Sequence, residues 1–284
     1  MVNEHLKQKV YFSLFGALTF LSVLILIFVL YFVIRGGAGV VSLKFLTLMW
    51  AHQDITQGGI FPAIVGTVLL AFGVALISIP LGVATAVYLN EYAMENLFTR
   101  TIKLAIRNLA GVPSVVYGLF GLAFFVFFLR MGTSLISASL TLGAMTLPWI
   151  ITASEEALRT IPSSFREGSY ALGATRWQAL RTLVLPHSVG GMLTGSILGI
   201  SRAMGETAPL ILVGATFFIN YLPSSPFDKF MALPYHLFIL ATQHSSGQAL
   251  DFALGTALVL ITVVFTLNLG VFILRYKLRK RKVW

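Results

Sequence analysis

Long apolar runs separated by short polar stretches make up most of the chain. Val10–Ile34 is the first, 25 residues with no charge before Arg35 and with Lys7 and Lys9 ahead of it. A bilayer core takes about 20 apolar residues as helix, so this run predicts a membrane span. A signal peptide is the other reading, but its apolar region runs to about 7–15 residues. No small-x-small cleavage site closes the run cleanly before Arg35. Further spans are predicted at Ala63–Asn90, Leu109–Leu129, Leu135–Ala153, Val189–Ile219 and Phe252–Leu274. Pro62 precedes the second span, where a missing N–H costs little. Pro80 lies inside it, and Pro148 near the end of the fourth. Six spans place both termini on one side. Between the fifth and sixth, Asn220–Asp251 carries Pro223, Pro226 and Pro234 around the apolar run Phe230–Ala241. Twelve residues cannot span, so this run is either re-entrant at the interface or a helix packed on the bundle.

Composition agrees with the pattern. Of 284 residues, 57% are hydrophobic and 11% charged, with a mean hydropathy of +0.88. Soluble chains run near roughly 45–50% apolar and about 25% charged. The expected class is therefore an all-α integral membrane protein with six transmembrane helices and both termini cytoplasmic. Fifteen Lys and Arg lie on the face holding the termini, four (Arg35, Lys44, Arg130, Lys229) on the opposite face, and Arg202 within a span. That bias follows the positive-inside rule and makes the first face cytoplasmic. It also explains the net charge of +10 without nucleic acid, since the cations flank apolar segments. The Arg275–Lys282 cluster reads most simply as an anchor to anionic lipid. The chain has no cysteine, which excludes disulfides, thiolate metal sites and thiol catalysis. No G-x-x-x-x-G-K-[ST], H-E-x-x-H or G-x-S-x-G is present, and the five histidines lack metal spacing.

The cytoplasmic stretch 154–188 is punctuated as helices. Ser164-Phe-Arg-Glu167 reads as a capping box, Gly173 as a left-handed helix end, and Thr175-Arg-Trp-Gln178 as a second capping box. Pro186 is expected to stop that second helix. Trp177, Leu180 and Val184 form one apolar stripe. The segment either lies amphipathically in the headgroups or docks a partner.

The fifth span holds an ionisable pair. Arg202 lies 13 residues after Val189, about 20 Å along a helix. A charge at that depth costs about 2.5–3.5 kcal/mol on insertion scales, so it needs a partner. Glu206, at i+4, shares its face. The pair is either a structural bridge or part of an anion route, where a guanidinium can hold two phosphate oxygens in its fork. Gly191, Gly195, Gly199 and Ala203 recur every four residues and predict close packing of a second helix. Gly205 and Pro209 break or kink the helix beside the pair. Pro113, Ser114 and Tyr117 either line the path or simply pack.

Glu167, Gly173, then nine residues and Leu183-Val-Leu-Pro186 resemble the EAA loop of ABC importer permeases, with Gly168 and Ser169 in place of two alanines and Leu183 in place of isoleucine. Gly58–Thr67, Leu109–Gly118 and Arg202–Pro209 resemble the permeases of phosphate-specific importers. Gly205-Glu-Thr-Ala-Pro209 and Met231-Ala-Leu-Pro234 are similar to those of the PstA type. The resemblance implies a MetI-like permease bundle over residues 58–284, with residues 1–57 adding a helix and an outer loop. It implies an ATP-driven importer of inorganic phosphate in the bacterial cytoplasmic (inner) membrane, not an enzyme. The implied partners are a second permease, two cytoplasmic ATPases carrying the ATP and Mg, and an extracytoplasmic phosphate-binding protein, with membrane lipid around them. Candidate pathway residues are Arg202, Glu206 and Thr207. Candidate coupling residues are Glu167, Gly173, Trp177, Leu185 and Pro186. A proton-coupled carrier using Arg202 and Glu206 is the competing class, though the halves show no internal repeat. An intramembrane enzyme would need a second acid or a nucleophile–base pair, which the sequence lacks.

Overall fold

A computed structural model describes residues 2–51, 58–217, 219–243 and 247–280. Among them the chain is helical, with a single isolated bridge between Ala215 and Phe230. The long helices are α1 (Val2–Gly37), α3 (Phe61–Val87), α6 (Leu135–Arg159), α9 (Leu185–Gly205) and α12 (Gly247–Lys280). Between them lie α2 (Leu43–Thr47), α4 (Leu97–Leu109), α5 (Ser114–Gly121), α7 (Ser163–Ala171), α8 (Arg176–Ala179), α10 (Ala208–Val213) and α11 (Leu233–Gln243). Five stretches are long and apolar enough to cross a membrane, and a sixth arises if the pair α4–α5, bent by 102°, is taken as one span.

α6 is the hub, packed by α3, α9 and α5. The core falls into three layers along the bundle. The middle layer holds Leu70, Val74, Leu142, Met145 and Leu210. The outer layer holds Phe45, Trp50, Ile60, Met231 and Leu240. The cytoplasmic layer holds Leu89, Leu158, Leu180, Val184 and Met192. The glycine ridge of α9 does what its spacing predicts. A Cβ on Gly191 would stand 2.7 Å from Ala157 Cβ, and Gly195 and Gly199 lie against Ala153 and Ile150 of α6. In lipid, close backbone approach replaces the hydrophobic drive as the source of helix affinity. α1 stays largely exposed and meets the bundle at Gly36 and Gly37, against Leu254 of α12.

Four expectations change. The third predicted span is broken at Pro113, which is extended and starts α5, so α5 and the π-helical stretch Leu122–Phe128 count as a span only together with α4. Residues 97–109 form a separate amphipathic helix capped by the Asn96 side chain. The fifth span ends at Gly205 rather than at Ile219. Pro209 has no N–H for the Gly205 carbonyl, and Glu206 turns extended (ψ 128°) before α10 begins. Pro186 stops nothing: it sits in the first turn of α9, and helical structure runs unbroken from Arg176 to Gly205. A π-helical turn at Leu180–Val184 precedes it, widening the backbone where the proline ring would otherwise press on a carbonyl. Ser164 makes no cap, since Pro162 in extended conformation starts α7 at Ser163 and leaves Ser164 inside the first turn.

The run Phe230–Ala241 takes the packed form. α11 buries Leu233, His236, Ile239 and Leu240, and the Leu233 amide donates to Thr67 Oγ1 of α3 at 2.8 Å. Outside the described side chains lie His5, His52, His244 and most of the Arg275–Lys282 cluster.

Candidate functional site

Arg202 stands in the last turn of α9, one turn before the break. Its Nε lies 3.5 Å from Glu206 Oε1, the i, i+4 pairing that the sequence predicts. Its guanidinium carbon also sits 5.0 Å from the ring centroid of Trp149 on α6. Trp149 lies fourteen residues from the first residue of α6 and ten from its last, so this group is deep between the membrane faces. The Trp149 ring supplies a quadrupole that attracts the cation. Even so, the Arg202 side chain is 48% exposed and Glu206 19%. Among the described residues Arg202 donates no hydrogen bond, so its fork keeps unused donors in a half-exposed side chain. Thr207 is half-buried at the break, and the Thr207 carbonyl accepts from Ile211 N at 3.2 Å.

The break is held from behind. Gly118 of α5 lets Pro209 approach, since a Cβ there would be 2.9 Å from Pro209 Cα. Tyr117, buried beside it, donates to the Leu109 carbonyl at 3.0 Å and fixes the α4–α5 corner. Tyr117 therefore serves packing, whereas Pro113 is exposed and sets the start of α5. Next to Arg202, Ser201 Oγ meets Asn268 Oδ1 of α12, a polar contact across two spans that spacing alone does not reveal.

The cytoplasmic loop is the second candidate element. Gly173 has φ +82°, and the Gly173 and Ala174 amides donate to the Tyr170 and Ser169 carbonyls at 2.9 and 3.0 Å. These two bonds form a Schellman end, which favours glycine at the left-handed position. The second capping box is present: Thr175 N donates to Gln178 Oε1 at 2.8 Å, and Gln178 N to Thr175 Oγ1 at 3.2 Å. The apolar stripe divides. Leu180 and Val184 enter the cytoplasmic core, whereas Trp177 is exposed together with Glu167 and Gly173. Leu185 and Pro186 are half-buried where the loop rejoins the bundle. The arrangement offers a rigid, outward-facing corner between two capped helices. Sequence reasoning misses its anchor, Arg166, which binds Glu91 75 residues away, and also the Lys103–Glu155 pair at 3.7 Å.

Residues 78–283 match the family described as binding-protein-dependent transport system inner membrane component. The chain is 33% identical over 289 residues to phosphate transport system permease protein PstA 1 of Mycobacterium tuberculosis, covering 99% of this chain and 91% of that one. It is 31% identical over 276 residues to a probable phosphate transport system permease protein PstA of Methanocaldococcus jannaschii, covering 96% and 94%. A probable ABC transporter permease protein, YqgI, of Bacillus subtilis is 30% identical over 280 residues, covering 95% of each. Among solved structures, the inward-facing MetNI methionine ABC transporter matches with a TM-score of 0.62 at 18% identity, over 76% of this chain and 94% of that one. Apolar spans, a capped cytoplasmic corner and these full-length matches lead to one assignment: the chain belongs to the family of binding-protein-dependent transport system inner membrane components.

Proposed function

We propose that this chain is a permease subunit of an ATP-driven importer that carries inorganic phosphate into the cytoplasm. The observation that carries the substrate is the near full-length similarity to phosphate permeases. The open Arg202 fork, at the level of Trp149 of α6, supports it. Arg202 contacts the travelling oxyanion. Glu206 steadies Arg202 between passages and accepts a hydrogen bond from a protonated phosphate oxygen. A fully deprotonated oxyanion such as sulfate offers that carboxylate no proton, so the pair discriminates as well as binds. Thr207 adds a hydroxyl where the helix is broken.

The transport unit is residues 58–284, with 1–57 supplying α1 and the segment that follows it. Its partners are a second permease, two cytoplasmic ATPases and an extracytoplasmic phosphate-binding protein. The exposure of Arg202 in a single subunit supports a second permease across that face. The corner formed by Glu167, Gly173 and Trp177 seats on an ATPase, and Leu185 and Pro186 carry its displacement into α9. Radiolabelled phosphate uptake in vesicles bearing the complete importer tests this reading. Uptake should require internal ATP, survive proton ionophores and resist competition by sulfate. Uptake that collapses with ionophore while ATP is maintained would instead indicate a proton-coupled carrier.

A further inference from the structure

α7 is nine residues long and buries none of them. Such a helix, held by backbone alone, would swing when pushed and deliver little force. One of its side chains prevents this. Arg166 Nε and Nη2 bind Glu91 Oε2 and Oε1 at 3.2 and 2.8 Å, Nη1 donates to the Ile161 carbonyl at 2.7 Å, and Nη2 also donates to the Leu158 carbonyl at 3.0 Å. Four of the five guanidinium N–H donors are thereby used. Glu91 lies in the π-helical turn Tyr88–Tyr92 that ends the α3 span, and Leu158 in the last turn of α6. One planar group thus fastens α7 to two membrane helices and to the 160–162 connection. The Glu91 carboxylate is fixed in turn by Asn90 Nδ2 at 2.7 Å. The side chains are 18% and 10% exposed, so removing either one strands a charge largely away from water.

We propose that Arg166 is a positioning residue for coupling: it holds α7 against the cytoplasmic ends of α3 and α6 throughout the transport cycle. A push on the corner at Gly173 then moves the bundle, not α7 alone. Beyond the latch the path is stiff, because Gly82 of α3 lies against Ile150 of α6 and Gly195 of α9 against Ala153. A bidentate arginine suits this role, since its fork resists shear in the plane of the pair where a lysine would pivot. This inference rests on the importer reading above.

The chain has no cysteine, so Glu91→Cys with Arg166→Cys introduces its only thiols. The variant is assembled with cysteine-free partner subunits in proteoliposomes, and a short bifunctional thiol reagent then bridges the two positions. Before bridging, phosphate moved per ATP hydrolysed should fall about tenfold or more, with hydrolysis itself within about twofold of wild type. Bridging should restore most of the ratio, and the bridging yield should be equal with and without ATP. An unbridged variant with a normal ratio overturns the proposal. So does a bridge that blocks transport, which would mean that the latch must open. Joint loss of uptake and hydrolysis that bridging does not reverse assigns the pair to folding alone and also overturns it. A wild-type complex that hydrolyses ATP without moving phosphate overturns the substrate reading only, because the bridging yield still reports on the latch.

Discussion

Two arginine–glutamate pairs in this chain use the same chemistry to opposite ends. Arg202 and Glu206 lie one turn apart on α9, touch at 3.5 Å, and leave the guanidinium half exposed in the middle of the bundle. Arg166 and Glu91 come from separate helices, meet at 2.8 Å, and are largely enclosed, with two backbone carbonyls taking further donors. With four of its five donors engaged, the Arg166 fork has little left to offer a ligand, which suits a fastener. The Arg202 fork, paired only with Glu206 and stacked on Trp149, keeps donors unused, as the proposed oxyanion contact requires. The number of donors left over, more than the presence of an ion pair, separates the two roles.

The largest expected break in this comparison is Arg202→Gln. In a normally inserted and assembled complex, phosphate uptake should drop by about a hundredfold, the scale set by losing a charge-assisted bidentate contact of roughly 2–3 kcal/mol. Uptake that survives would make the Arg202–Glu206 pair a structural bridge. A flexible Gly-Ser insertion after Gly173 should similarly abolish uptake while membrane insertion, read by protease protection, stays intact. It spares both arginines and cuts only the corner between them and the ATPase.

Gly191→Val tests whether the frame behind the open fork is as tight as its contacts indicate. The new side chain would crowd Ala157 Cβ, which lies 2.7 Å from the glycine's ideal Cβ position. Overpacking of this kind costs about 1–3 kcal/mol and should lower the thermal stability of the purified chain in detergent. Asp228→Asn should do least. The Ser225 and Ser224 amides and the Ser224 hydroxyl donate to its carboxylate and hold its pKa below the usual range. A depressed carboxylate stabilises the fold above its unfolded pKa, and that contribution fades as pH falls through the folded value. The Asn variant should therefore lose only the acid sensitivity of amide exchange around Ser224 and Ser225.

The two candidate regions differ in how far they were legible. Gly173, Thr175 and Gln178 announce their conformations because each acts on backbone groups within a few residues. The same logic fails at Ser164, where Pro162 sets the helix start first, and at Pro186, where a π turn accommodates the ring. Arg202 and Glu206 are readable as a pair because i, i+4 spacing on a helix guarantees proximity. Glu91 and Trp149 are not readable, since nothing near either one signals its partner.

The sequence by itself determined the membrane class, the orientation, the capped corner at Gly173 and the charge pair in α9. These depend on hydropathy summed over a span and on contacts a few residues apart. Only the tertiary structure decided that the fifth span ends at Gly205, that Arg202 keeps an open fork under Trp149, and that Arg166 closes on Glu91. Those outcomes depend on which helices pack side by side, and in a bilayer that choice rests on shape and small residues along whole faces, which no local pattern records.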